Sequence, residues 1–225
     1  MDDRRPLKSR QIPIFDKLAW SCVRRKISPN TISTLSVLAS GVGCLLLYLT
    51  TMSEGVVTRV LLGGAAACVQ LRLLANLLDG MVAERGESMS DSGKLYNEAP
   101  DRISDILLIV GFGLVGQSPD AIVLGWACAC MAVLAAYTRE LARSIDAPPP
   151  FLGPMAKPQR MALLTLALVS LALLPTFWTA HWLDARSWGL VEACLALMLV
   201  GTILTCLRRW IYLLRFTTQS AGTDG

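Results

Sequence analysis

Six long apolar stretches, separated by short polar segments, dominate the pattern of this chain. Each approaches the roughly 20 residues that a helix needs to cross the hydrocarbon core of a bilayer. They lie at about 31–52, 56–80, 102–117, 119–138, 160–179 and 187–207. The pattern therefore predicts an all-α integral membrane protein with six transmembrane helices.

The N-terminal segment follows a different pattern. Between residues 12 and 26, apolar side chains recur at helical spacing, and basic side chains lie largely off that stripe. This arrangement is typical of an amphipathic helix that lies on the membrane surface. The alternative is a nucleic-acid-binding arm, but the apolar stripe favours lipid, and we expect no nucleic-acid partner. We therefore divide the chain into a basic amphipathic segment (1–27), a membrane domain (28–215) and a polar tail (216–225).

Composition and charge agree with a membrane protein and give it an orientation. Hydrophobic residues make up 53% of the chain and charged residues 17%, below the roughly 25% charged residues of a soluble domain. Basic residues concentrate before residue 27 and in alternate connections between the apolar stretches. Because such segments stay on the cytoplasmic side, both termini are predicted to be cytoplasmic. The charged N-terminus lacks an early apolar region with a cleavage site, and we expect a bacterial inner membrane.

A cluster of polar side chains extends from the end of the second apolar stretch into the third. Its carboxylates and carboxamides are Asn76, Asp79, Asn97, Glu98, Asp101 and Asp105. Ionisable groups at membrane depth are costly, so a cluster of them indicates a functional site. Oxygen ligands from two helices suit a hard divalent cation such as Mg²⁺ or Mn²⁺. One or two such ions would bind a diphosphate group.

Two residues near this cluster have more than one interpretation. Arg72 lies one helical turn before the cluster begins, where it either pairs with a carboxylate or contacts a ligand phosphate. Snorkelling towards the interface is a third interpretation. Asp105 is either a metal ligand or a carboxylate that pairs with Arg102 or with the loop. The third helix is expected to begin near 93–97, which would put Pro100 in the first turn, where proline is tolerated.

The spacing of the cluster resembles the signature of the CDP-alcohol phosphatidyltransferase family, D-x2-D-G-x2-A-R-x8-G-x3-D-x3-D. The match extends without a gap from residue 76 to residue 101. Identity and spacing agree at Asp79, Gly80, Ala83, Gly93 and Asp101. The six predicted spans and the amphipathic N-terminal helix also resemble this family.

Three positions of the signature differ in this chain. Asn76 and Asn97 stand where the family has its first and third Asp. Glu84 stands where the family has Arg, and Arg85 follows one place later. A carboxamide oxygen can still bind a metal ion, but it brings no negative charge. The number of metal ions and the role of Arg85 are therefore open at this point.

The resemblance implies transfer of a phosphatidyl group from CDP-diacylglycerol to the hydroxyl group of a small polar alcohol, with release of CMP. The last Asp of the signature is the general base of the family, and that position is Asp101 here. The implied metal ligands are Asn76, Asp79, Asn97 and Asp101, with Glu98 and Asp105 as further candidates. The implied nucleotide-binding residues are Gly80, Ala83, Glu84, Arg85 and Gly93.

Basic residues on the same predicted membrane face are candidates for binding a phosphate group of the acceptor. They are Arg139, Arg143, Lys157 and Arg160. Their flanking sequences match family segments only in part, and the positive-inside rule alone is the other explanation for them. We favour glycerol 3-phosphate as the acceptor, with inositol, inositol phosphate, serine and another polyol as alternatives.

Two other classes of function are alternatives to the enzyme. A small transporter would use the carboxylates as a cation relay, but charged residues do not continue across the other apolar stretches. A non-catalytic membrane scaffold of the same fold would be compatible with Asn76 and Asn97. The enzyme is the interpretation we favour, with membrane lipids and a homodimer, common in the family, as further expected partners.

Overall fold

Seven α-helices form the part of the chain that the computed structural model describes, residues 12–86, 91–174 and 188–221, with the backbone alone for 91–97 and 219–221. They are α1 (Pro13–Arg24), α2 (Pro29–Leu49), α3 (Gly55–Arg85), α4 (Asp91–Val115), α5 (Pro119–Ser144), α6 (Lys157–Leu173) and α7 (Leu190–Ala221). A short 3-10 turn, Thr50–Met52, follows α2. No β-strand occurs within these ranges, which confirms the predicted all-α fold for them.

Four segments among the described helices are long and apolar enough to cross a membrane. They are Pro29–Met52, Gly55–Arg85, Pro119–Ser144 and Leu190–Thr218. The third and fifth predicted spans fall on α4 and α6. The first half of α4 is polar, and α6 ends at Leu173, shortly before the undescribed residues 175–187. The number of six spans therefore stays a prediction.

The predicted amphipathic segment contains the helix α1. Its Ala19 is fully buried in a small apolar cluster with residues of α2 and the end of α3. Ile14, Leu18 and Trp20 are exposed, so α1 presents an apolar surface on the side that does not contact the bundle. Such a surface suits the headgroup region of a bilayer. Residues 1–11 of the predicted basic segment lie outside the described residues.

The start of α4 differs from the sequence expectation. The helix begins at Asp91, so Pro100 lies inside it and not in its first turn. The expectation for Pro100 was wrong because the helix already includes Asp91 and Ser92, so that Pro100 lies beyond its first turn. Proline has no N–H, so α4 lacks one hydrogen bond of its ladder at this position. This local weakness lies directly before Asp101.

Small residues allow a close contact between the backbones of α4 and α5. A Cβ atom added to Gly113 would lie 3.1 Å from the Cα atom of Gly125, and the converse distance is the same. Any larger residue at either position would push the two backbones apart, as at other close helix crossings in membranes. In the rest of the bundle, α2 packs on α3 and α4, α5 on α7, and α3 on α6.

The connection from α5 to α6 is held against α7. Gly153 has a φ angle of +113°, and a Cβ atom there would lie 2.5 Å from the Thr205 side chain, so only glycine fits. The Met155 N–H donates to Thr205 Oγ1 at 3.0 Å. Arg209 Nε donates to the Leu152 carbonyl oxygen at 3.2 Å. These contacts fix the residues that directly precede α6 and thereby the position of its first turn.

Candidate active site

The candidate site lies at one end of the helix bundle. Successive helices alternate in direction, so this end brings together the start of α2, the end of α3, the first half of α4, the end of α5 and the start of α6. Hydrogen bonds between residues 33 and 79, 76 and 157, and 98 and 139 join these helix ends. The predicted carboxylates and the predicted basic residues therefore meet in one region.

Asp101 is bound by an asparagine and a lysine. Asn76 Nδ2 donates to Asp101 Oδ1 at 2.9 Å, and Lys157 Nζ donates to Asn76 Oδ1 at 2.7 Å. The Lys157 ammonium group also forms an ion pair with Asp101 Oδ2. The contacts connect α3, α4 and α6. The Asp101 side chain is 13% exposed, whereas Asp79 and Asp105 are buried, so Asp101 is the most accessible of these three carboxylates.

Asp79 is buried near the end of α3. Ser33 Oγ of α2 donates to Asp79 Oδ2 at 2.8 Å. The other oxygen, Asp79 Oδ1, is buried without a hydrogen-bond partner among the described residues. An unsatisfied buried acceptor is costly, so an ion or a ligand donor at this atom would be stabilising. Sequence reasoning missed Ser33, whose only signal is a polar side chain early in the first apolar stretch.

A buried ion-pair network follows Asp101 by one turn of α4. Arg72 Nη2 donates to Asp105 Oδ1 at 2.5 Å, and Arg160 Nη2 donates to Asp105 Oδ2 at 2.9 Å. Arg72 Nη2 also donates to the Asp101 carbonyl oxygen at 3.2 Å, and Arg160 Nη1 donates to the Met155 carbonyl oxygen at 3.1 Å. We call Arg72, Asp105 and Arg160 the inner triad. It connects α3, α4 and α6 directly beside Asp101.

The inner triad decides between two interpretations of the sequence. Arg72 pairs with the acidic cluster, as one of its interpretations predicted. Asp105 pairs with Arg72 and Arg160 and not with Arg102, so the second interpretation of Asp105 was wrong. Arg102 instead pairs with Glu98. The reason is that Asp105 faces the interior of the bundle, whereas the Arg102 side chain is 20% exposed at its edge.

Ion pairs of a second kind lie at the edge of the site. We call them the rim pairs, and they comprise Glu98, Arg102, Arg139, Glu140 and Arg143. Arg139 Nη2 donates to Glu98 Oε1 at 2.5 Å, and Arg143 Nη1 donates to Glu140 Oε2 at 2.6 Å. Their side chains are 20–38% exposed. Exposed ion pairs contribute little stability, so these arginines can exchange a carboxylate for a ligand phosphate.

The residues predicted to bind an acceptor phosphate do not form one surface cluster. Arg139 and Arg143 belong to the rim pairs. Lys157 lies inside the site on Asp101, and Arg160 is buried in the inner triad with 2% exposure. Arg139 and Arg143 are therefore the two that a soluble acceptor can reach without disrupting the buried ion pairs.

Arg85, which follows the position of the signature arginine, is turned towards α1. Its guanidinium group forms an ion pair with Asp16 and lies 5.9 Å from the centre of the Trp20 ring. A cation over an aromatic ring adds a favourable contact at this distance. Arg85 thus connects the amphipathic helix to the end of α3.

The other predicted nucleotide-binding residues lie on both sides of the connection between α3 and α4. Gly80 is buried, Ala83 is half-buried and Glu84 is exposed, all in the last turns of α3. Gly93 and the predicted metal ligand Asn97 belong to the first turns of α4, of which the structure describes the backbone alone. These residues therefore lie at the same end of the bundle as Asp79 and Asp101.

The donor set fits one divalent ion bound together with a ligand. Mg²⁺ is commonly held by one or two carboxylates plus substrate phosphates, and Asp79, with its unpartnered oxygen, and Asp101 provide two carboxylates. Within the described ranges, no three carboxylate, thiol or imidazole groups converge on one metal position. Asn76 Oδ1 and Asp101 Oδ2 already contact the Lys157 ammonium group. A second ion does not fit these two oxygens while Lys157 occupies them.

Solved structures with this fold include three crystal structures of the phosphatidylinositol phosphate synthase of Mycobacterium tuberculosis. The structure with CDP-DAG bound has a TM-score of 0.69 at 18% identity and covers 88% of this chain and 92% of that chain. The complex with manganese and citrate has a TM-score of 0.68 at 18% identity and covers 87% of each chain. The apo form has a TM-score of 0.64 at 19% identity, with 86% and 93% covered. At this level of identity the similarity shows the fold.

Sequence comparison assigns the family. No curated protein sequence matches the chain. The family profile described as CDP-alcohol phosphatidyltransferase matches residues 26–204, which is most of the chain. This range includes the signature and every residue of the inner triad and the rim pairs. The protein therefore belongs to the CDP-alcohol phosphatidyltransferase family and is a transferase of that class.

Proposed function

We propose that the protein transfers a phosphatidyl group from CDP-diacylglycerol to a small polar alcohol and releases CMP. The observation that carries this proposal is the arrangement of Asp101, which is partly exposed, bound by Asn76 and Lys157, and on the same bundle end as the buried Asp79. The similar synthase has been crystallised with CDP-DAG bound, which supports the choice of donor. The family assignment favours this enzyme over a transporter or a scaffold.

Asp101 is the proposed general base. Its carboxylate takes the proton of the acceptor hydroxyl group while the hydroxyl oxygen attacks the lipid-side phosphorus. A new P–O bond forms as the bond from this phosphorus to the bridging oxygen breaks, and CMP leaves with the electron pair. Asn76 and Lys157 hold the carboxylate in position, and the Lys157 ammonium group would offset the negative charge that develops on the phosphoryl oxygens.

Asp79 and Asp101 are the proposed ligands of a divalent ion, Mg²⁺ or Mn²⁺, with the carboxamide of Asn97 as a further candidate. The Asn76 carboxamide oxygen, a candidate from the sequence, already accepts a hydrogen bond from Lys157, and we leave it out of the ligand set. When bound, such an ion neutralises charge on the diphosphate and favours departure of CMP. Ser33 holds Asp79 in place through its hydrogen bond. Glu98 and Asp105, the other two candidates from the sequence, are bound by arginines instead, and we leave them out of the ligand set.

The proposed acceptor carries a phosphate group, and glycerol 3-phosphate is our first choice. Arg139 and Arg143 at the rim provide the fixed cations that would bind this phosphate. Glu98 and Glu140 hold them in place until a ligand arrives. Inositol phosphate is the next choice, and inositol, serine and other polyols test whether the phosphate is needed.

We propose that six helices cross the membrane and that the site and both termini face the cytoplasm, in a bacterial inner membrane. Large apolar side chains on α2 support burial in lipid, since Leu35, Leu38, Val42 and Leu45 are each more than half exposed. In this placement α4 and α6 complete the bundle with their polar ends at the site. The acyl chains of the donor then stay in the bilayer while its head group reaches Asp101. A homodimer stays a prediction.

Release of CMP by the purified protein tests the proposal. The protein in liposomes with CDP-diacylglycerol and Mg²⁺ or Mn²⁺ receives each acceptor in turn, and we expect acceptor-dependent CMP release. Asp101→Asn should lower turnover about 100- to 10,000-fold, the usual contribution of a general base. The matched control is Asp120→Asn, an exposed aspartate at the other end of the bundle, which should keep full turnover. Absence of CMP release with every acceptor, or full turnover of Asp101→Asn, would contradict the proposal.

A further inference from the structure

The ammonium group of Lys157 lies between the first and the last positions of the family signature. Its Nζ atom donates to Asn76 Oδ1 at 2.7 Å and pairs with Asp101 Oδ2. The residue is 81 positions away from Asn76 along the chain, and the start of α6 that carries it is fixed by α7. The lysine therefore occupies two of the oxygens that the signature would offer to metal ions.

The net charge of the site also differs from that of the family signature. The signature contains four aspartates, and Asn76 and Asn97 replace two of them. The two missing carboxylates would have provided two negative charges, which is the number that neutralises one divalent ion. Among the described side chains at the centre of the site, Asp79, Asp101 and Asp105 face the cations of Arg72, Lys157 and Arg160, so carboxylates and fixed cations balance. The inner triad is buried, and excess charge at such depth is costly.

We propose that Lys157 takes the place of a second divalent ion and that the site holds a single divalent ion. This inference rests on the proposed function and specifies its metal requirement. The two positive charges of one divalent ion neutralise the two negative charges of the donor diphosphate. Lysine suits this role because its ammonium group is compact and has three N–H donors. Asn76 and Asp101 accept two of them, and the third is left for a phosphate oxygen of the donor.

Counting the bound ions tests the inference without using turnover. The full-length protein in detergent is titrated with Mn²⁺ in the presence of CDP, and free Mn²⁺ is measured by electron paramagnetic resonance. We expect one ion per wild-type chain. Lys17→Gln, which removes an exposed lysine of α1, is the matched control and should also bind one ion.

Two variants distinguish the effect of Lys157 on the number of bound ions from the effect of the number of aspartates. Asn76→Asp with Asn97→Asp restores four aspartates but keeps Lys157, and it should still bind one ion. Adding Lys157→Gln to this pair should raise the count to two. The inference is overturned by two ions or none in the wild type, by two ions while Lys157 is present, or by one ion in the triple variant with an unchanged unfolding midpoint. If the triple variant unfolds, the other two counts decide.

The CMP assay keeps this test distinct from the proposed function. One Mn²⁺ per chain without CMP release from any acceptor would contradict the transfer reaction while leaving the ion count intact. CMP release together with two bound ions would support the reaction and overturn the inference.

Discussion

The inner triad and the rim pairs use the same chemical groups in different surroundings. Both consist of arginines and carboxylates at hydrogen-bond distance. The three residues of the inner triad are 0–2% exposed, whereas the side chains of the rim pairs are 20–38% exposed. Breaking a buried pair costs about 3–5 kcal/mol, because the remaining charge is left without compensation. Exposed pairs contribute only about 0–1 kcal/mol.

This difference assigns separate roles to the two sets. The inner triad holds α3, α4 and α6 together beside Asp101, and Arg72 even leaves Nε and Nη1 without a hydrogen-bond partner in the described structure. Loss of a further hydrogen-bond partner of Arg72 would destabilise the contacts that hold α3, α4 and α6 together. The rim pairs can break and re-form at a small cost in free energy, so they are suited to a ligand that binds reversibly.

Asp105→Asn should have the largest effect on stability. The substitution keeps the size of the side chain but leaves Arg72 and Arg160 without their shared carboxylate, so the free energy of unfolding should fall by about 3–5 kcal/mol. Denaturant titration in detergent, followed by circular dichroism, measures this loss. Glu140→Gln, which neutralises a rim carboxylate, should cost less than about 1 kcal/mol. Equal losses in the two variants would remove the distinction between the triad and the rim.

Ser33→Ala should have an intermediate effect. It removes the hydrogen bond that the Ser33 hydroxyl donates to the buried Asp79 carboxylate, which costs about 1.5–3 kcal/mol for a charged acceptor. The same denaturant titration measures the change. Ser36→Ala is the matched control, because the buried Ser36 hydroxyl has no hydrogen-bond partner among the described residues. A larger loss for Ser36→Ala would show that packing, and not the hydrogen bond, determines the effect.

Arg139→Gln should have the smallest effect on stability and a selective effect on the reaction. Unfolding should change by less than about 1 kcal/mol. The KM for glycerol 3-phosphate should rise about tenfold or more, since a charge-assisted hydrogen bond to the phosphate is lost. Acceptors without a phosphate group should be affected much less. Arg208→Gln, an exposed arginine of α7, is the control, and the same rise in KM for charged and uncharged acceptors would contradict a phosphate-binding role.

Residue patterns along the chain predicted the helices and the two signature carboxylates. Apolar stretches mark buried helices through their length, and the spacing of Asp79 and Asp101 carries the family resemblance. Both signals are local in the sequence. The start of α4 was expected near 93–97, which is at least two residues too late, because Asp91 and Ser92 already belong to the helix.

Contacts between distant segments could not be predicted in this way. Asp105 meets Arg72 and Arg160 across 33 and 55 positions, and Lys157 reaches Asn76 across 81. Helical periodicity shows which residues share a face, but it does not show the rotation of a helix or its neighbours. The sequence therefore predicted Lys157 and Arg160 as cations that bind an acceptor phosphate, whereas helix packing places them beside Asp101 and Asp105.

The glycine crossing of α4 and α5 has a mechanical consequence for the site. Twelve residues of α4 separate Gly113 from Asp101, a distance of about 18 Å at 1.5 Å per residue. If α4 rotated by about 5° about its crossing point with α5, its Asp101 end would move by about 1.6 Å over this length. The ion pair between Glu98 and Arg139 joins the same two helices, α4 and α5, at the end where Asp101 lies. A methyl group added at Gly113 is thus expected to displace the Asp101 end of α4, three helical turns away, where we propose that the reaction takes place.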